Sequence, residues 1–372
     1  MRADIKIFTI FLACFSMFAP MACVAPIGLI LKSHLNLTHA QTSIFFTAPM
    51  LCVAGLAIPG GSIADKLGPI KSGGIGITTI AIGAALRSLA NDYGTMLIFS
   101  IIYGVGFGLL FPAITKLVGE LFTHEQSNMI SGIVFAGIPT GYALATVLTV
   151  PVAFHITNSY HGVFLFWSLP PILATALWWC LLKPSRIVQS QPKSIYKNSS
   201  VLVSLLHNRN ILLIAALLLI GELMIYIWLG WAPALLVYRG ATPELAGIIT
   251  SIVPWVGIPT CMLVPYLSQR FGRTKPFLWV PCIVIALVIW RAMYANLNSM
   301  WVLISLMGIA EQSKYVILLI LPTSFVQHTD VGTANGIVIS SAYIGGAIGP
   351  LATGMILDAA GSMHLIFLVI IV

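Results

Sequence analysis

Apolar runs of about 20 residues follow one another along almost the whole chain, with only short polar turns between them. Such a run, wound as a helix, matches the thickness of a bilayer's hydrocarbon layer. The runs lie near 7–31, 40–62, 72–90, 94–116, 128–152 and 161–182, then near 209–236, 244–267, 276–296, 300–324 and 333–357. A twelfth begins near 363 and is cut at Val372, so the helix is expected to continue beyond the sequence given. The runs are continuous rather than alternating, which points to helices and away from barrel strands. Charged residues are 8% of the chain and apolar residues 59%, too few charges to coat a soluble fold of 372 residues. The fold class expected is therefore an all-α membrane protein of twelve transmembrane helices, because lipid leaves every backbone N–H and C=O to be paired within its own segment.

The chain also repeats itself at an offset of 204 residues. Gly61, Asp65, Lys66, Gly68 and Lys71 form a charged turn between the second and third runs, and Lys66, Gly68 and Lys71 meet Arg270, Gly272 and Lys275 in the second copy. The same offset carries Arg87 onto Arg291, and Gly132, Ile133 and Val134 onto Gly336, Ile337 and Val338. Two pseudo-symmetric six-helix halves follow, at residues 1–182 and 208–372, with the polar stretch 183–207 as a cytoplasmic linker. Of the 18 Lys and Arg, four (Lys32, Arg87, Arg239 and Arg291) fall at outer helix ends if the N-terminus is inside, and Lys314 falls within a helix. The rest gather on the inner side, which predicts a cytoplasmic N-terminus and accounts for the net charge of +8 without any nucleic-acid role. The six cysteines all sit in apolar runs and carry no metal-ligand spacing, so they are read as packing residues.

The turn at 61–71 resembles the loop signature of the major facilitator superfamily, G-x-x-x-D-[RK]-x-G-x-[RK]-[RK], departing from it at Pro69 and Ile70. The resemblance implies that Asp65 engages neighbouring helix ends and locks the outward-open state, while Gly61 and Gly68 permit close approach and a tight turn. Lys66 and Lys71 would hold the loop at the inner surface. The second copy has Gln269 in place of Asp65, so the implied latch is asymmetric. Trp228 to Leu236, together with Gly83 to Leu89, resembles the cyanate/nitroimidazole-transporter-like branch and its nitrate/nitrite-porter relatives, which implies a small, often anionic substrate. The glycine and proline pattern of Gly132, Gly137, Pro139 and Gly141 matches half of an antiporter signature and leaves direction open.

The superfamily resemblance further implies that the first, fourth, seventh and tenth helices line a central cavity. Glu222 lies near the middle of the seventh, and Glu311 and Lys314 near the middle of the tenth. A charge at helix centre costs roughly 2.5–3.5 kcal/mol on insertion scales, so such residues are expected to pair or to face water. Glu311 and Lys314 share a helical face with Tyr315, and Tyr226 extends the face of Glu222 by one turn. Two roles remain open. One glutamate takes a coupling proton while Lys314 holds the negative end of a substrate, or Glu311–Lys314 is a structural pair and only Glu222 meets substrate.

Arg87 and Arg291 stand at matched positions near the outer ends of the third and ninth helices, where long side chains snorkel to the interface. Anchoring is the expected role, with substrate clamping as the alternative. Tyr103 and Phe107 share a stripe with Phe111 on the fourth helix, and Trp231 lies on the seventh; these are read either as cavity wall or as helix packing. Nothing in the sequence suggests a nucleotide fingerprint, a nucleophile–base pair, a metal centre or a cofactor. The expected protein is a monomeric, multi-pass inner-membrane carrier and not an enzyme, using alternating access for proton-coupled uptake of a small polar or anionic solute. The alternatives are proton-coupled efflux of an amphiphilic compound and a transporter-like receptor. Its expected partners are a small-molecule substrate, a proton or other coupling ion, and the lipid bilayer.

Overall fold

The computed structural model describes residues 3–121, 130, 132–182, 199–326 and 331–360. Every regular element among them is helical. The first set comprises α1 (Ala3–Ala22), α2 (Gly28–His34), α3 (His39–Leu67), α4 (Pro69–Leu86), α5 (Tyr93–Leu121), α6 (Gly137–Leu148) and α7 (Tyr160–Leu181). After α8 (Ser199–Leu206) come α9 (Arg209–Tyr238), α10 (Pro243–Phe271), α11 (Pro276–Met293), α12 (Leu297–Ile320) and α13 (Val331–Ala360). Among the described residues ten helices are long and apolar enough to span a membrane, with α11 a shorter apolar helix beside them. The twelfth expected span, and residues 183–198 of the expected linker, lie outside the described residues; 199–206 of that linker are helical.

Local chemistry sets the boundaries. Thr38 opens α3 with a capping box, its hydroxyl accepting from Gln41 N at 3.1 Å and its own N–H donating to Gln41 Oε1 at 3.0 Å. Gly68 closes α3 at φ 81°, a conformation open to glycine, and Pro69 restarts the chain as the first residue of α4. Gly272 repeats the device at φ 61° in the second copy of the turn. Asn208 and Asn296 cap α9 and α12, accepting from Asn210 N and Ser299 N, each at 3.0 Å.

Prolines divide two runs that the apolar pattern presents as single spans. The run 7–31 breaks between Ala22 and Gly28, because Pro26 has no N–H and disfavours helical geometry at Ala25. The fifth run passes through a π-helical turn, Thr149–Phe154, around Pro151.

Helix packing is extensive within each set. In the first, α5 packs against α3 and α4, α1 against α6 and α7, and α4 against α7. In the second, α9 packs against α13, and α12 against α10 and α11. The most extensive packing between the sets is that of α3 with α13 and of α6 with α10. Large apolar side chains such as Ile98, Leu165, Leu217, Trp279 and Trp290 remain exposed on the outer faces, where a hydrocarbon solvent would meet them.

Candidate functional site

The centre of the second set holds three ionisable side chains. Lys314 on α12 donates from Nζ to Glu311 Oε2 at 2.8 Å, one turn apart on the same helix. Glu222 on α9 is buried beside them, close enough for its charge to interact with both. All three are less than one-tenth exposed. Glu311 Oε1 is buried with no hydrogen-bond partner among the described residues. Gly221 makes the approach of the two helices feasible. A Cβ built there would collide with Lys314 Nζ and come within 3.5 Å of Glu311 Oε1.

The tyrosines complete this surround. Tyr226 and Tyr315 lie within electrostatic range of Glu222. Tyr343 on α13 also does, and the sequence reading did not include it. Tyr343 joins the charged cluster to an aromatic wall on the first set. Its ring lies edge-on to Phe107 at 5.9 Å and to Phe111 at 6.2 Å, and Phe107 in turn meets Phe18 at 5.2 Å. Phe111 adds Phe135, and Phe46 of α3 reaches Tyr226 at 6.1 Å. The aromatic side chains of the first set thus face the charged cluster of the second. Tyr343 and Gly221 escaped the sequence reading because one sits on a helix not expected to line the cavity and the other carries no side chain.

Arg87 corrects an expectation. Instead of snorkelling to the interface it is fully buried. Its Nη1 donates to Pro20 O at 2.8 Å, Nη2 to Phe45 O at 2.8 Å and Nε to Ser100 Oγ at 3.1 Å, with the guanidinium over the rings of Phe164 and Tyr103. The cause is an unmet backbone demand. Pro49 supplies no N–H to Phe45 O, and Pro20 O lies at the broken end of α1. Arg291 is exposed, so the pair matched in sequence is not matched in environment. Tyr103 belongs to the Arg87 cluster, its hydroxyl donating to Met17 O.

Trp231 lies about 14 Å along α9 from Glu222, toward the end opposite the linker. Its Nε1 donates to Pro350 O at 3.0 Å and its ring stands 5.5 Å from that of His39. At the linker end, Gly68 forms the tight turn already described, Gly61 lies part-buried in α3, and Lys66 and Lys71 are exposed. Lys116 Nζ donates to Ala64 O at 3.4 Å beside that turn. The side chain of Asp65 lies outside the described residues.

Membrane-length helices in two packed sets, with buried ionisable groups between a charged and an aromatic wall, make this a multi-pass membrane protein with the build of a secondary transporter. The family model described as Major Facilitator Superfamily matches residues 8–310. The chain belongs to the major facilitator superfamily, and it is a transporter of that general kind. It is 22% identical over 357 residues to a hexuronate transporter of Bacillus subtilis (strain 168), covering 91% of this chain and 84% of that one. It is 21% identical over 347 residues to a cyanate transport protein of Escherichia coli (strain K12), covering 92% and 87%. Among solved structures, a bacterial homologue of the human lysosomal transporter Spinster, in an inward-facing and unoccupied conformation, shares the fold with a TM-score of 0.81 at 16% identity, covering 96% of this chain and 84% of that one.

Proposed function

We propose that the protein carries a small polar or anionic solute across the membrane by proton-coupled alternating access, at the site formed by Glu222, Glu311 and Lys314. The observation that carries this reading is the buried Lys314–Glu311 pair at 2.8 Å with Glu222 beside it and one Glu311 oxygen without a partner among the described residues. Two carboxylates face one ammonium in a region with little water. The cluster is neutral when one carboxylate holds a proton, and a net negative charge there is costly. From that neutral state a second proton, on the remaining carboxylate, frees Lys314 from its partner, and an anionic group of the substrate takes the vacated place and restores neutrality. Loss of the proton on the opposite side restores the pair and expels the anion. Tyr226, Tyr315 and Tyr343 supply hydroxyls around this exchange, and Phe107 closes its apolar side. The two relatives, a hexuronate transporter and a cyanate transport protein, fit an anionic substrate.

In this reading residues 1–182 and 208–372 move as two bundles, with the linker 183–207, the N-terminus and the Gly61–Lys71 turn on the cytoplasmic side. Gly61, Asp65, Lys66, Gly68 and Lys71 form the conformational latch at that surface. The five-ring aromatic wall supports a second reading, proton-coupled efflux of an amphiphilic compound.

A thermal-shift screen of the purified protein against glucuronate, cyanate and a set of amphiphilic cations separates the two. An anion that stabilises the wild type but not Lys314→Ala supports the first reading. Stabilisation by cations that survives Lys314→Ala overturns it in favour of the second.

A further inference from the structure

We infer that Tyr142 is a positioning residue of the transport cycle, latching a proline-broken carbonyl of α9 from the opposite set of helices. The argument begins with Pro233. It has no N–H, so the carbonyl of Leu229, four residues earlier in α9, loses its ordinary helical donor. Leu229 is buried, and a buried carbonyl without a donor is costly. The missing donor is Tyr142 Oη, which reaches Leu229 O at 2.8 Å from α6 and is itself buried.

The same backbone problem is solved twice in this protein, with different consequences. Pro49 leaves the carbonyl of Phe45 without a helical donor, and Arg87 supplies one from within the same set. That bond can persist whatever the two sets do. Tyr142 and Leu229 belong to different sets, so their bond exists only while the sets are closed at the end opposite the linker. Other contacts close the same end. His39 N and Ala40 N, at the start of α3, donate to the two carboxylate oxygens of Asp358 on α13 at 2.7 and 2.9 Å. A cavity of about 30 Å³, lined in part by Lys32, His39, Trp231 and Ala234, is what remains between them.

Opening this end admits water to Leu229 O, which then replaces the phenol. The hydroxyl of Tyr142 therefore weights the balance toward closure without touching substrate. This inference rests on the two-bundle reading only in requiring that the sets part at this end; it needs no proton coupling and no known substrate.

The test is the accessibility of an introduced thiol. Ala234→Cys is placed on the remaining cavity, and the purified protein in detergent is treated with a charged methanethiosulfonate reagent, with modification read at the peptide carrying residue 234. Adding Tyr142→Phe should raise the labelling rate roughly five- to tenfold, the scale of one hydrogen bond lost to a buried acceptor. Pro233→Ala restores a helical N–H to Leu229 O, so it should raise labelling by itself, and adding Tyr142→Phe to it should then change nothing. Equal labelling with and without Tyr142→Phe, or the same increment in the Pro233→Ala background, overturns the inference. If Tyr142→Phe alone does not yield folded protein, Pro233→Ala alone decides, and unchanged labelling sinks the proposal. Failure of the Glu222/Glu311 reading would leave all of these rates as they are.

Discussion

Gly221 of α9 stands against the ammonium of Lys314 on α12, with no room for even a methyl group between them. The absent side chain lets a buried lysine pair with Glu311 one turn away and still lie beside Glu222. The site is therefore shaped as much by a missing atom as by the charges themselves.

Replacing Gly221 with alanine should drive the lysine out of place. The clash falls on the far end of a flexible side chain, so the protein should fold, but with the ammonium displaced from Glu311 it should lose most of its transport. Normal uptake by Gly221→Ala in proteoliposomes would show that Lys314 has slack the site does not need.

Removing Lys314 leaves two buried carboxylates without their counter-charge. Lys314→Ala should be destabilised by roughly 3–5 kcal/mol, the scale for breaking a buried pair. Combining Lys314→Met with Glu311→Gln should recover much of that stability without recovering binding of an anion. Denaturation midpoints and ligand-induced thermal shifts on the same preparations test both halves of the expectation.

Proton coupling is expected to be lost when either carboxylate is made permanently neutral. Glu222→Gln or Glu311→Gln should abolish accumulation driven by a pH gradient while leaving exchange of labelled for unlabelled substrate. Normal pH-driven accumulation by both variants would remove the coupling role from this cluster.

Arg87 is expected to matter for folding rather than for substrate. Arg87→Ala leaves the carbonyl of Phe45 without its side-chain donor, worth about 1–3 kcal/mol when buried and unsatisfied, and leaves Pro20 O with only the weak Cys23 thiol donor. Melting temperature should fall sharply, and the affinity of whatever folded protein remains should be unchanged. An altered substrate affinity at a normal melting temperature would return Arg87 to the role of substrate clamp.

The relation between sequence and site differs from residue to residue. Glu222, Glu311 and Lys314 were legible because charge in an apolar run is rare and because helical spacing places Glu311 and Lys314 on one face. Tyr343 was not legible, since its approach to Phe107 and Phe111 depends on how α13 meets the first set. Arg87 was misread for a related reason. Sequence shows a long cation near a helix end, but the acceptors it satisfies come from α1 and α3, one of them laid bare by Pro49.

The sequence by itself determined the solvent, the helical spans and the two-fold repeat, because hydrophobic length, proline and glycine positions and charge placement act locally along the chain. Tertiary structure alone decided which faces meet. It turned Arg87 inward, set Gly221 against Lys314 and gave the carbonyl of Leu229 a donor from the other set. Those outcomes depend on packing between segments far apart in the chain, where hydrogen-bond demand is met by whichever side chain the fold brings within reach.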